Sequence, residues 1–176
     1  MTHGLIAHAT NSETGSILGQ HDGDQLGCEL CACKWYDGEW LAVYRAKTEE
    51  ARERMARFAE DAVTNGYIGY SQDNEKRHAF ITAVMNNDYQ PEMVNENCTC
   101  DCSTLVYGAV CAYYAIPWDS GLGLDGSVPT TGNFDSFLME RVADFDKHTT
   151  DDYLKAATLL QRGDILLKDG HIAIWI

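Results

Sequence analysis

Residues 163–176 carry two apolar runs, DILL and IAIWI, joined by Lys168-Asp169-Gly170, and this pattern reads as two strands with a tight connection. What precedes the pair is mostly helical in period. Over residues 47–65 the apolar positions Ala51, Met55, Phe58, Ala59 and Ala62 recur at helical spacing, with Glu49 and Glu50 in the first turn and Gly66 just past the end. A second helix is predicted over residues 74–86, with Ala79, Phe80, Ala83 and Val84 inward. A third follows Asp101, with Leu105, Val106, Ala109, Val110 and Tyr113 as a broad apolar face, and Pro117 ends it. Residues 118–133 form a Gly-rich loop, Asn133 is a candidate N-cap for a short helix presenting Phe134, Phe137, Leu138 and Val142, and a last helical turn is expected within residues 150–160. Residues 4–9 and 39–45 read as two further strands that pair with each other, with turn chemistry between them at Asp22-Gly23 and Asp37-Gly38. The order of helices first, then sheet, gives an α+β class in which helices pack on a largely antiparallel sheet.

With 176 residues, three prolines and no repeat or low-complexity run, nothing marks an internal boundary, so residues 1–176 read as a single domain. The 27 acidic against 13 basic residues give a formal charge of -14, which disfavours any partner held mainly through phosphates and excludes nucleic acid from the expected ligands. No run approaches the roughly 18 apolar residues of a membrane span, so no membrane partner is expected. The start, MTHGLIAHATNSETG, lacks the basic and apolar regions of a secretory signal.

Seven cysteines cannot all pair internally, and six fall into two clusters: Cys28, Cys31 and Cys33, then Cys98, Cys100 and Cys102, with Cys111 apart. Clustered thiolates suggest zinc, but paired C-x-x-C knuckles are absent, so buried or incidental thiols are the expected reading and no metal is assigned. Cys102 opens a predicted helix, where unpaired N–H groups and the helix dipole favour an anion and lower a thiol pKa. His171 stands at the start of an apolar strand, a rigid mount for the imidazole that thiol catalysis requires. His3, His21, His78 and His148 read as surface residues.

Taken together and in order, Asp101-Cys102-Ser103-Thr104-Leu105-Val106, Arg162-Gly163-Asp164-Ile165-Leu166 and Gly170-His171-Ile172-Ala173-Ile174 resemble the nucleophile, pre-strand and histidine-strand motifs of NlpC-type cell-wall cysteine peptidases, which have the papain-like fold. The wider chain resembles phage endolysin catalytic domains through AHATNSETG, Gly23-Asp24-Gln25, Trp35-Tyr36 and Ile68-Gly69-Tyr70-Ser71-Gln72. The resemblance implies a bacteriolytic peptidoglycan hydrolase in which Cys102 attacks the scissile carbonyl to form a thioester and His171 serves as base and then acid, with no cofactor. The backbone N–H of Cys102 would help hold the oxyanion. Tyr70 and Ser103 are the candidates for the oxyanion or substrate pocket, although the Ser103 hydroxyl is expected chiefly in the helix cap, and Asp101 orients the turn. Loop residues 118–133 are the expected muropeptide contacts.

In that family a third polar residue follows on the next strand, yet this chain ends five residues after His171. Residues 4–9 resemble such a following strand, so we expect them to lie beside residues 171–176 in a permuted arrangement that brings His8 to His171. The scissile bond is either the muramic acid–L-alanine amide or a peptide bond of the stem or cross-bridge. Two further readings stay open. One is a zinc amidase using His8, His171 and a clustered cysteine; the other is an inactive wall-binding module. The endolysin resemblance also implies an enzyme held in the host cytoplasm before lysis, aided by a separate wall-binding module.

Overall fold

The computed structural model describes residues 4–10, 30–116 and 128–176. Cys28, His3, His21, the turn at Asp22-Gly23, the Gly23-Asp24-Gln25 segment, Pro117 and loop residues 118–127 lie outside them. In chain order the elements are β1 (Leu5–Ala9), β2 (Leu30–Lys34), β3 (Ala42–Ala46), α1 (Glu49–Thr64), β4 (Ile68–Tyr70), α2 (Asn74–Asn86), β5 (Cys98–Cys100) and α3 (Cys102–Tyr114). They continue with α4 (Phe134–Ser136), a π-helical stretch Phe137–Val142, β6 (Phe145–His148), α5 (Asp151–Leu154), β7 (Ile165–Lys168) and β8 (His171–Trp175).

Six strands form one antiparallel sheet in the order β2-β1-β8-β7-β3-β6, and β4 pairs with β5 in a small parallel ribbon. The molecule is α+β with a mostly antiparallel sheet, as the patterning predicts. The expected β7–β8 hairpin forms, and β1 lies beside β8 with Ile6 opposite Trp175 and Ala7 opposite Ile174. Residues 4–9 do not pair with residues 39–45, because β8 and β7 lie between β1 and β3. Backbone hydrogen bonds carry no partner identity, so two apolar runs near in sequence cannot declare that a distant hairpin separates them. Nor do helices precede the sheet: three of its strands come before α1.

The helices follow their capping chemistry. Thr48 accepts the Ala51 N–H at the start of α1, and the face Ala51, Met55, Phe58, Ala59 and Ala62 is buried as predicted. Asp73 caps α2 by accepting the N–H groups of Glu75 and Lys76. In that helix Phe80 and Val84 face inward, but Ala79 is exposed and Arg77 is buried instead. Asn133 makes no cap; its side-chain oxygen accepts the Thr130 N–H, while Phe134, Phe137 and Leu138 are buried.

Alternation divides the sheet into two apolar faces. Ala7, Ala42, Tyr44, Ile165, Leu167, Ile172 and Ile174 join the core of α1 and α3. Ile6, Val43, Leu166 and Ala173 form a second cluster with Trp40 on the opposite face. No helix among the described residues is long and apolar enough to cross a membrane.

The Arg162-Gly163-Asp164 motif is a structural clasp. Arg45 donates to both oxygens of the fully buried Asp164 at 2.8 and 2.6 Å, and Arg162 bridges Glu53 and Glu60. Gly163 has φ +87°, and a Cβ there would stand 2.2 Å from the Arg52 carbonyl oxygen, so only glycine lets β7 start against α1.

Candidate functional site

Strand β5 runs into Asp101, the N-cap of α3, so Cys102 occupies the first helical position. Asp101 Oδ1 accepts from the Thr104 N–H at 2.8 Å, the Thr104 hydroxyl at 2.7 Å and the Ser103 hydroxyl at 2.9 Å. Its Oδ2 pairs with Arg77 Nε at 2.8 Å. The guanidinium also donates to Ser103 Oγ at 3.0 Å, Thr104 Oγ1 at 2.9 Å and the Pro129 carbonyl at 3.2 Å. Ser103 is therefore engaged on both sides by the cap. The helix beyond is buried through Cys111, which fixes its start against β8.

Cys102 is 7% exposed, and burial foremost, then the neighbouring Asp101 carboxylate, push its thiol up to about 11. The backbone N–H groups of Ile172 and Ser103 and the Arg77 guanidinium act the other way. The direction is opposite to the lowering expected from the helix start, because desolvation outweighs the N–H groups and the cation. Tyr70, opposite Cys100 in the β4–β5 ribbon, is buried beside this thiol, and its hydroxyl pKa is raised by burial and then by the Cys102 and Asp101 charges.

Across the sheet, the β1–β8 pairing brings two buried histidines together, with His8 Nδ1 3.2 Å from His171 Nε2 and the rings edge to face. His8 is paired with Cys31 across β1 and β2, and its Nε2 lies 3.4 Å from Cys31 Sγ and 3.5 Å from Cys33 Sγ. The Trp40 ring stands 6.1 Å from His171, and Lys168, opposite His171 in the hairpin, lies over the Tyr36 and Trp40 rings. Burial first, then the charges of His8 and Lys168, bring the His171 pKa down to about 3, so this imidazole is neutral at pH 7.

The structure thus brings His8, His171, Cys31 and Cys33 together, and it brings Cys102 to the same strand at Ile172, one residue from His171. The hydrogen bonding of the His171 side chain among the described residues runs through Nε2 to His8, with none to Cys102. Among the described residues no group of three His, Cys, Asp or Glu side chains is arranged to hold a metal ion. His148 stacks on Tyr153 at 4.1 Å, remote in sequence and contact from the pair. Sequence reasoning missed Arg77, although a charged residue in register with the inward Phe80, Ile81 and Val84 was the available signal. It also missed the facing Cys31 and Cys33, because the run LCACK was not read as a strand.

A family model for the endolysin-like domain matches residues 6–176. No curated protein and no solved structure matches the chain. The match takes in both the strand that bears His8 and the hairpin that bears His171, and with it the whole six-stranded sheet: the chain belongs to the endolysin-like domain family of cell-wall enzymes.

Proposed function

We propose that the chain is a peptidoglycan hydrolase of papain-like, NlpC-type fold, acting as one catalytic unit, with Cys102 as nucleophile, His171 as base and acid, and His8 as the residue that orients His171. One convergence supports the reading: the Cys102 thiol lies against the backbone N–H of Ile172, while His171, the preceding residue, has its Nε2 3.2 Å from His8 Nδ1. The hydrogen bond to His8 leaves His171 Nδ1 for the thiol once substrate draws the two together, since catalytic contacts tighten in the substrate complex.

Both groups start neutral, so proton transfer accompanies attack instead of preceding it. His171 takes the thiol proton as sulfur bonds to the carbonyl carbon; the resulting oxyanion is met by the Cys102 N–H at the start of α3, with the Tyr70 hydroxyl beside it. Collapse expels the amine, which receives the proton from His171, and water hydrolyses the thioester by the reverse sequence. Arg77, Asp101 and Ser103 hold the start of α3 and touch no reacting atom. The enzyme acts at the wall after release from the host cytoplasm, with a separate module supplying wall affinity.

The test is digestion of purified peptidoglycan by wild type and Cys102→Ala, with and without EDTA, read by mass spectrometry. Muropeptides released by the wild type alone, unaffected by EDTA, support the thiol mechanism and identify the bond. Activity that survives in Cys102→Ala, or is lost to EDTA, overturns it in favour of zinc chemistry on His8 and His171.

A further inference from the structure

A neutral imidazole carries one N–H and one lone pair, so two histidines in contact, with sulfur at the far end, form a directional chain. Here the chain runs from Cys31 and Cys33 to His8 Nε2, through His8 Nδ1, to His171 Nε2, with 3.4, 3.5 and 3.2 Å between successive partners. With His8 neutral, two directions are possible. If a thiol donates to His8 Nε2, then His8 donates from Nδ1, and His171 is left with its proton on Nδ1, unable to act as a base there. If His8 donates from Nε2 to sulfur, its Nδ1 accepts from His171 Nε2, and His171 Nδ1 is a free lone pair.

Two sulfurs at one ring nitrogen favour the second. Cys31 and Cys33 alternate with exposed Ala32 and Lys34 along β2, so both point at the same ring nitrogen. One lone pair on Nε2 can accept from one thiol only, whereas one N–H can be shared by both sulfurs as a three-centre bond. Any thiolate character in either cysteine adds to the second arrangement and opposes the first.

We propose that Cys31 and Cys33 are positioning residues for the hydrolytic site: their sulfurs accept the His8 Nε2–H, which commits His8 Nδ1 to accept the His171 Nε2–H and leaves His171 Nδ1 unprotonated toward Cys102. The inference rests on the thiol mechanism proposed above, and it adds a pair of residues that act through His8. It gives Cys31 and Cys33 a role without a metal.

Long-range ¹H–¹⁵N correlation spectra of the labelled chain at pH 7 test it without substrate, so its failure is read separately from failure of the proposed function. The expected spectrum has His8 and His171 both protonated at Nε2 and bare at Nδ1. In the Cys31→Ala/Cys33→Ala variant His8 loses this preference and kcat falls roughly five- to tenfold at unchanged KM, the worth of one hydrogen bond. Replacing both by serine, whose oxygen also accepts, restores the tautomer and most of kcat. A wild-type His8 protonated at Nδ1, tautomers unchanged in the double alanine variant, or stoichiometric zinc ligated by His8 in the purified protein would each overturn the proposal. Should the alanine variant fail to fold, the wild-type spectrum alone still decides.

Discussion

Cys102 and His171 have pKa values moved apart by burial, the thiol up to about 11 and the imidazole down to about 3. Burial therefore opposes a resting thiolate–imidazolium pair at neutral pH, and alkylation supplies the measurement. The rate of Cys102 modification by iodoacetamide, followed by mass spectrometry, should climb with pH toward about 11 with no step between pH 5 and 8. For His171 the sign runs the other way. Its folded pKa lies below the unfolded value of about 6.5, so the unfolded chain binds more protons between those limits. The contribution to stability is complete above pH ~6.5 and drains away as pH falls toward 3, and His171→Gln should flatten that part of the urea-unfolding profile. The candidate residues Cys102, His171 and His8 were legible from motif order. Their protonation was not, because desolvation depends on what α3 and the sheet pack around them.

At the scale of elements, the start of α3 depends on a residue of another helix. Arg77 is 6% exposed, and its pairing with Asp101 closes the cap network. Arg77→Met removes the cation while leaving Asp101 buried and charged, so we expect a loss of about 3–5 kcal/mol in chemical denaturation. The clasp before β7 gives a second prediction: Gly163→Ala forces a Cβ onto the Arg52 backbone at positive φ and should cost about 2–3 kcal/mol. The helix α1 was readable from its helical period and the β7–β8 hairpin from two apolar runs joined by Lys168-Asp169-Gly170, whereas α2 was readable in extent but not in its buried face, where Arg77 stands in place of Ala79. The three-residue strands β4 and β5 hold too few positions to establish a period, and LCACK in β2 mixes a half-buried thiol face with exposed alanine and lysine. Partner choice within the sheet was readable for β7 and β8, through their tight connection, and for β1, through its likeness to a strand that should follow β8.

Seen whole, the molecule carries a charge of -14, and anionic wall polymers should repel it. Lysis of intact walls should therefore quicken as ionic strength rises from about 0.01 to 0.15 M, where the screening length falls from ~30 to ~8 Å, while cleavage of small soluble muropeptides changes little. The position of β1 between β2 and β8 bears on the birth of the protein as well. Its two neighbours are β2, nearby in sequence, and β8, whose residues 171–175 are made some 160 residues later. At about 5–20 residues per second, translation leaves that seam open for roughly 10–30 s. A nascent chain holds His8 without His171 throughout that interval, so under the proposed mechanism hydrolytic competence waits for the finished chain, and a holdase that masks the waiting strand edge would raise the yield of folded protein.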